Sequence, residues 1–186
     1  MNIGFALCGS FCTYKTVFPI MEELAKKHTI VPIFSYAAAT TDSRFGKAED
    51  HLAKAAAICG RPPLTTIAQV EPIGPKKMLD VLIVAPCTGN TLAKLAHSIA
   101  DTPVTMAVKS HLRNGGPVLL AVSTNDALAG GAENIGRLLA KKNYYFVPFG
   151  QDDPKEKPTS MVADFMKIPQ ALSLAAEGKQ MQPILL

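Results

Sequence analysis

The stretch Val81-Leu82-Ile83-Val84-Ala85-Pro86-Cys87-Thr88-Gly89-Asn90-Thr91 decides how this chain folds. Its leading residues are apolar without polar alternation, the pattern of a parallel strand covered on both faces. Pro86 and Gly89 then turn the backbone, and Thr88 or Asn90 stands where a helix cap belongs. Leu92, Leu95, Ala96 and Ile99 follow at helical spacing. A buried strand thus runs directly into a helix, the connection from which layered α/β folds are built.

Outward from this unit the alternation repeats. Apolar, β-rich runs lie at residues 3–7, 30–34, 64–67, 118–122 and 145–148. Val17, Ile20, Met21 and Leu24 form one helical stripe, and Pro19 within it predicts a helix start or a kink. Phe45, Ala48, Leu52, Ala55 and Cys59 form a second, with Asp42 as candidate cap and Gly60 closing it. Thr102-Pro103 opens another helix that Asn114-Gly115 ends, and Ile135, Leu138 and Leu139 mark the next. Residues 68–80, broken by Pro72, Gly74 and Pro75, leave room only for a short helical turn.

These elements predict an α/β fold: a Rossmann-like doubly wound parallel sheet of about six strands, in the order 3-2-1-4-5-6, flanked by helices. Right-handed crossovers place the loops after the first and fourth strands side by side at the carboxyl edge, where ligands of such sheets bind. Residues 1–150 make this domain. Residues 151–186 are expected as an extension packed on the same domain or on a neighbouring subunit. Short helices are expected at 161–166 and 170–177, before an apolar end, Pro183-Ile184-Leu185-Leu186.

Composition removes several function classes. Lys and Arg number 19 against 15 Asp and Glu, and the excess sits in pairs such as Lys26-Lys27, Lys76-Lys77 and Lys141-Lys142 near helix ends. With no aromatic-interleaved basic stripe and no Trp, nucleic-acid binding is not expected. No apolar run is long enough to cross a bilayer. Met1-Asn2-Ile3-Gly4-Phe5-Ala6-Leu7 reads as a strand rather than a leader, so a cytoplasmic protein is expected. Cys8, Cys12, Cys59 and Cys87 form no C-x-x-C pair and have no spaced histidines beside them, which argues against structural zinc or any other metal. Cys8 and Cys59 read as small core residues.

Three loops at the predicted carboxyl edge carry the chemistry. In Cys8-Gly9-Ser10-Phe11-Cys12-Thr13, Gly9 permits a tight turn, Ser10 and Thr13 offer hydroxyls, and the next helix N-terminus offers free amides. This is neither the dinucleotide fingerprint nor a Walker A loop. In the second loop, Thr88 and Asn90 either cap the helix or, with freed backbone amides, grip a phosphate or polar ligand edge; Pro86, Cys87 and Thr91 count with them as cofactor-binding candidates, and Cys87 would there have a lowered pKa. A cysteine hydrolase lacks an oriented base, because His97 and His111 fall on helices without a carboxylate. The third loop, Ser123-Thr124-Asn125-Asp126, either caps a helix or places Asn125 and Asp126 against a reacting ligand. Ser35, after the second strand, shares this edge. Lys109 and Arg113, on a polar helix face with His111, would anchor an anionic substrate if that helix leans over the pocket.

Ala85-Pro86, Asn90-Thr91, Ala93-Lys94-Leu95-Ala96 and Ile99-Ala100-Asp101 resemble the signature of the homo-oligomeric flavin-containing cysteine decarboxylase superfamily, over roughly residues 1–150. That resemblance implies FMN held by Gly9, Ser10, Ser35, Thr88, Asn90 and Thr91, in a chain assembled as a trimer or larger homo-oligomer. Glu71-Pro72-Ile73-Gly74-Pro75-Lys76-Lys77, Ser110-His111-Leu112-Arg113-Asn114, Ser123 to Leu128, Val147 to Pro154 and Gly178-Lys179-Gln180 resemble the dipicolinate synthase B-subunit family. This closer likeness implies the mother cell of a sporulating bacterium and a partner, the dipicolinate synthase A-subunit, that brings NAD(P). Together they would oxidise a dihydrodipicolinate-level dicarboxylate to dipicolinate. Two departures set decarboxylation aside: the superfamily's catalytic His falls at Pro72, and its Pro-Ala-Met-Asn loop is Val122-Ser123-Thr124-Asn125, which keeps only Asn125. Flavin prenyl transfer would need a prenyl-phosphate site that no motif supplies. A non-catalytic structural or activating partner of a nicotinamide-dependent A-subunit is the alternative.

Overall fold

The computed structural model describes residues 1–186. The apolar runs become parallel strands: β1 (Asn2–Leu7), β2 (Thr29–Phe34), β3 (Val81–Cys87), β4 (Val118–Thr124) and β5 (Tyr144–Phe146). β1 lies between β2 and β3 in parallel register, Ile3 facing Ile30 on one side and Val81 on the other. β3 is buried along its whole length, as its unbroken apolar pattern requires.

The sheet has seven strands in the order β2-β1-β3-β4-β7-β6, where β6 is Phe149–Gly150 and β7 is Met161–Ala163, with β5 pairing β4 off that path. The predicted order holds approximately, but the third strand does not form. Leu64 alone bridges Ile33, and residues 67–70 instead make the short helix α4 (Ile67–Val70). A capping box explains it: the Thr66 hydroxyl accepts from the Gln69 amide, and the Gln69 side chain accepts from the Thr66 amide. Helical hydrogen bonding here outcompetes a run too short and too polar for an edge strand.

Helices cover both faces. α1 (Tyr14–Ala25) packs against α3 (Ala48–Cys59) and α8 (Ile168–Ala176), while α5 (Gly89–Ala96) packs against α6 (Pro103–Leu112) and α7 (Gly131–Leu139). A 3-10 turn at Phe11–Thr13 leads into α1, and Pro19 sits inside that helix at an exposed position. The short α2 (Tyr36–Thr40) begins at Ser35. Asp42 acts on α3 from six residues upstream, its carboxylate accepting from the Ala48 amide at 2.9 Å, and Gly60 closes the helix at φ 64. α6 opens with a Thr102–Thr105 capping box. No helix is long and apolar enough to cross a membrane.

The extension does not contain the helix expected at 161–166. Met161–Ala163 forms β7, antiparallel to Ser123 and Thr124 at the end of β4, and β6 (Phe149–Gly150) pairs with β7 in turn. β5 occupies the first half of the same β4 edge. β4 thus carries one neighbour along its start and another at its finish. The second brings the extension to the carboxyl edge of the sheet.

Candidate functional site

Three loops meet at the carboxyl ends of β1, β3 and β4 and enclose an open cavity of about 790 Å³. The first loop starts from a fixed point, because the buried Tyr14 phenol donates to the Cys8 carbonyl at 2.9 Å. The Ser10 and Ser123 hydroxyls lie 2.8 Å apart and tie the first loop to the third. Thr88 caps α5, accepting from the Thr91 amide. Gly89 is required for the third loop to close over this helix. A Cβ there would lie 2.6 Å from Thr124 Oγ1 and 2.8 Å from Asp126 Oδ1, which are themselves hydrogen-bonded at 2.5 Å.

The structure brings eight of the sequence candidates together on this cavity: Gly9, Ser10, Thr13, Thr88, Asn90, Ser123, Asn125 and Asp126. The backbone amides of Ser10, Phe11, Cys12, Gly89 and Asn90 donate to no group of the protein. They open at the starts of α1 and α5, where the helix dipoles favour an anion. The side-chain amides of Asn90 and Asn125 are exposed and unbonded, although the Asn125 carbonyl accepts from Thr159.

The other candidates lie elsewhere. Lys109 sits on α6 beside Leu95, Ile99 and Tyr144 in a small apolar hollow away from the cavity, and Arg113 caps the end of α6. That helix does not lean over the pocket. Cys87 is fully buried in the core, and burial raises its thiol well above the ordinary value, opposite to the expected lowering. Pro86 is buried in β3, while the Thr91 hydroxyl donates to the Cys8 sulfur at 3.3 Å. Ser35 caps α2 through the Ala38 amide. Phe11 lines a neighbouring pocket instead. Part of the family signature is also structural: Lys94 binds both Asp101 oxygens at 2.7 Å.

Sequence reasoning missed other lining residues. Lys15 and Thr16 follow Cys12 by one helical turn, a spacing that could have selected them. Asp152, Lys157, Ser160, Val162 and Phe165 arrive with the extension, through a β7–β4 pairing that no local pattern announces. There the Ser160 hydroxyl and then the Lys157 ammonium, 3.2 Å away, hold the Asp152 carboxyl below its ordinary range. Lys15 pairs with no carboxylate. The cavity is therefore a polar receptor with converging donors, an ammonium at Lys15 that pairs with no carboxylate and a carboxylate at Asp126 that pairs with no cation.

The Flavoprotein family model matches residues 1–162. The dipicolinate synthase B-subunit of Bacillus subtilis (strain 168) is 45% identical over 185 residues, covering 99% of this chain and 92% of the relative. The chain belongs to the flavoprotein family, within its dipicolinate synthase B-subunit group. The crystal structure of the B-subunit from Bacillus halodurans superposes on this flavoprotein-family chain with a TM-score of 0.91 at 43% identity, covering 100% of this chain and 95% of the other. The fold reaches further, to Burkholderia xenovorans DmrB in complex with FMN, with a TM-score of 0.68 at 19% identity and coverage of 92% and 93%.

Proposed function

We propose that the cavity binds FMN and that the chain acts with the dipicolinate synthase A-subunit to oxidise a dihydrodipicolinate-level precursor to dipicolinate. The unpaired amides of the first two loops carry this reading, since a phosphate at paired helix N-termini satisfies such donors. A volume of about 790 Å³ also suits a ligand of that size. The Ser10, Phe11 and Cys12 amides at the Gly9 turn would hold the phosphate, whereas the Thr13 amide and hydroxyl both go to the Ser10 carbonyl; Asn90, Ser123 and Asn125 would orient the remaining polar groups. Bound flavin would supply a two-electron acceptor for aromatisation of the dihydropyridine, which also releases a proton, and the nicotinamide of the A-subunit would supply the final acceptor.

FMN titration into the purified chain, read by quenching of flavin fluorescence, tests the first step. Asn90→Ala should weaken FMN by about tenfold, the worth of one or two hydrogen bonds. Because Asn90 makes no side-chain bond within the protein, its melting temperature should hold. No FMN binding, with or without the A-subunit, would overturn the reading. The displacement of Lys109 and Arg113 from the cavity favours a second reading, a non-catalytic partner. It wins if Asn90→Ala leaves dipicolinate output intact while deletion of the chain abolishes it.

A further inference from the structure

Beside the main cavity, and sharing Cys12 and Lys15 with it, lies a second pocket of about 330 Å³. Its walls are aromatic: Phe11 meets Tyr14 edge-on at 5.5 Å, Tyr14 meets Phe18 at 5.5 Å, and Tyr14 meets the His51 ring at 4.8 Å. Phe45 completes the rim, 45% exposed, on a loop that Ser43 and Gly46 close by hydrogen bonds in both directions. We propose that this pocket binds a planar six-membered-ring dicarboxylate, its ring against Phe11 and Phe45 and its carboxylates on Lys15 and Lys54.

Charge selects the ligand class. The polar groups facing the pocket are Lys15, Lys54, Asp50 and His51. Asp50 lies one helical turn before Lys54 on α3, yet the two form no ion pair. The Lys54 ammonium instead sits 5.0 Å above the Phe18 ring. Lys15 is likewise unpaired. Burial keeps the His51 imidazole below its ordinary pKa, so it adds no cation at neutral pH, and its Nε2 has no hydrogen-bond partner. Two ammonium groups thus face one carboxylate, and the Arg44 guanidinium stands 4.8 Å over Phe45 at the rim. Aromatic faces select a flat ring over an aliphatic chain. Through the shared Lys15 wall, such a ring would lie next to the occupant of the main cavity, the adjacency that hydride transfer requires. The choice of ligand rests on the function proposed above, whereas the pocket does not.

The test is calorimetric titration of the full chain with pyridine-2,6-dicarboxylate in the presence of EDTA, beside succinate and, separately, FMN. The aromatic dicarboxylate should saturate one site and bind more tightly than succinate. Lys54→Ala and Phe45→Ala should each weaken it by about tenfold or more. Lys54→Arg should restore binding, and the distant Lys142→Ala should match the unaltered chain. Both altered side chains are exposed, so melting temperatures should hold. No binding, equal affinity in Lys54→Ala, or succinate binding as tightly would overturn the proposal. So would loss of FMN affinity in Phe45→Ala, which would give the pocket to the flavin ring. Dicarboxylate binding without FMN binding would support the pocket while removing the flavin reading.

Discussion

Of the thiols around the first two loops, Cys12 alone is exposed, while Cys8 and Cys87 are buried. Burial raises the Cys8 thiol to about 11, against the opposing Thr91 hydroxyl, and raises Cys87 well above its ordinary value. Thiolate is the reacting species, so burial suppresses both access and ionisation. Iodoacetamide at mildly alkaline pH should therefore modify Cys12 first. Cys59, half-buried and raised to about 11, should lag behind it, and Cys8 and Cys87 should react only in denaturant. FMN should protect Cys12, which lines the main cavity. Peptide mapping by mass spectrometry decides the order; modification of native Cys87 as fast as Cys12 would contradict this account. The sequence pointed to Cys87 as activated because it precedes a helix. It could not show that the side chain turns into the core.

Two element boundaries depend on single side chains, one of them reached from far along the chain. β5 ends with an open edge at Phe146, and Gln180 closes it: its carbonyl oxygen accepts from the Phe146 amide at 2.8 Å and its nitrogen donates to the Phe146 carbonyl at 2.7 Å. A side-chain amide thereby stands in for one residue of a neighbouring strand. Gln180→Ala should leave both groups unsatisfied and cost about 1–3 kcal/mol, measurable by urea unfolding. At the α6–β4 turn, the buried His111 Nε2 lies 3.1 Å from the Pro117 carbonyl. Burial pulls its pKa below the ordinary value, despite Pro117 and Asp80 acting the other way. The folded state thus binds this proton less readily than the unfolded chain. Stability should be full above the unfolded His value of about 6.5 and decline as pH falls through it. His111→Gln should lower the melting temperature at neutral pH yet flatten its fall toward pH ~5. An unchanged slope would remove His111 from the acid response. Element existence was largely legible from periodicity, and the misses have local causes. Thr66, inside the run that reads as a strand, and Gln69, just beyond it, together carried a helix signal, and β7 exists only because β4 offers it an edge.

At the scale of the whole molecule, the switch between β1 and β3 locates the cavity, and alternation alone was enough to find it. Which helix leans over that cavity was not legible. Lys109 and Lys15 look equivalent as charges on amphipathic helices, but α1 starts at the site and α6 runs past it. Ligand-linked stability tests the assembled site as a unit. A ligand that binds only the folded state, at a hundredfold excess over its Kd, stabilises by about 2.7 kcal/mol. For a chain of this size that corresponds to a rise in melting temperature of roughly 5–10 °C. FMN should produce this shift. Riboflavin, which keeps the ring and ribityl chain but lacks the phosphate, should produce under about 2 °C at equal concentration if the first-loop and α5 amides supply most of the affinity. Inorganic phosphate at millimolar concentration should compete with FMN and reduce its shift. Equal shifts from FMN and riboflavin would detach the phosphate from those amides and leave the ring contacts to account for binding.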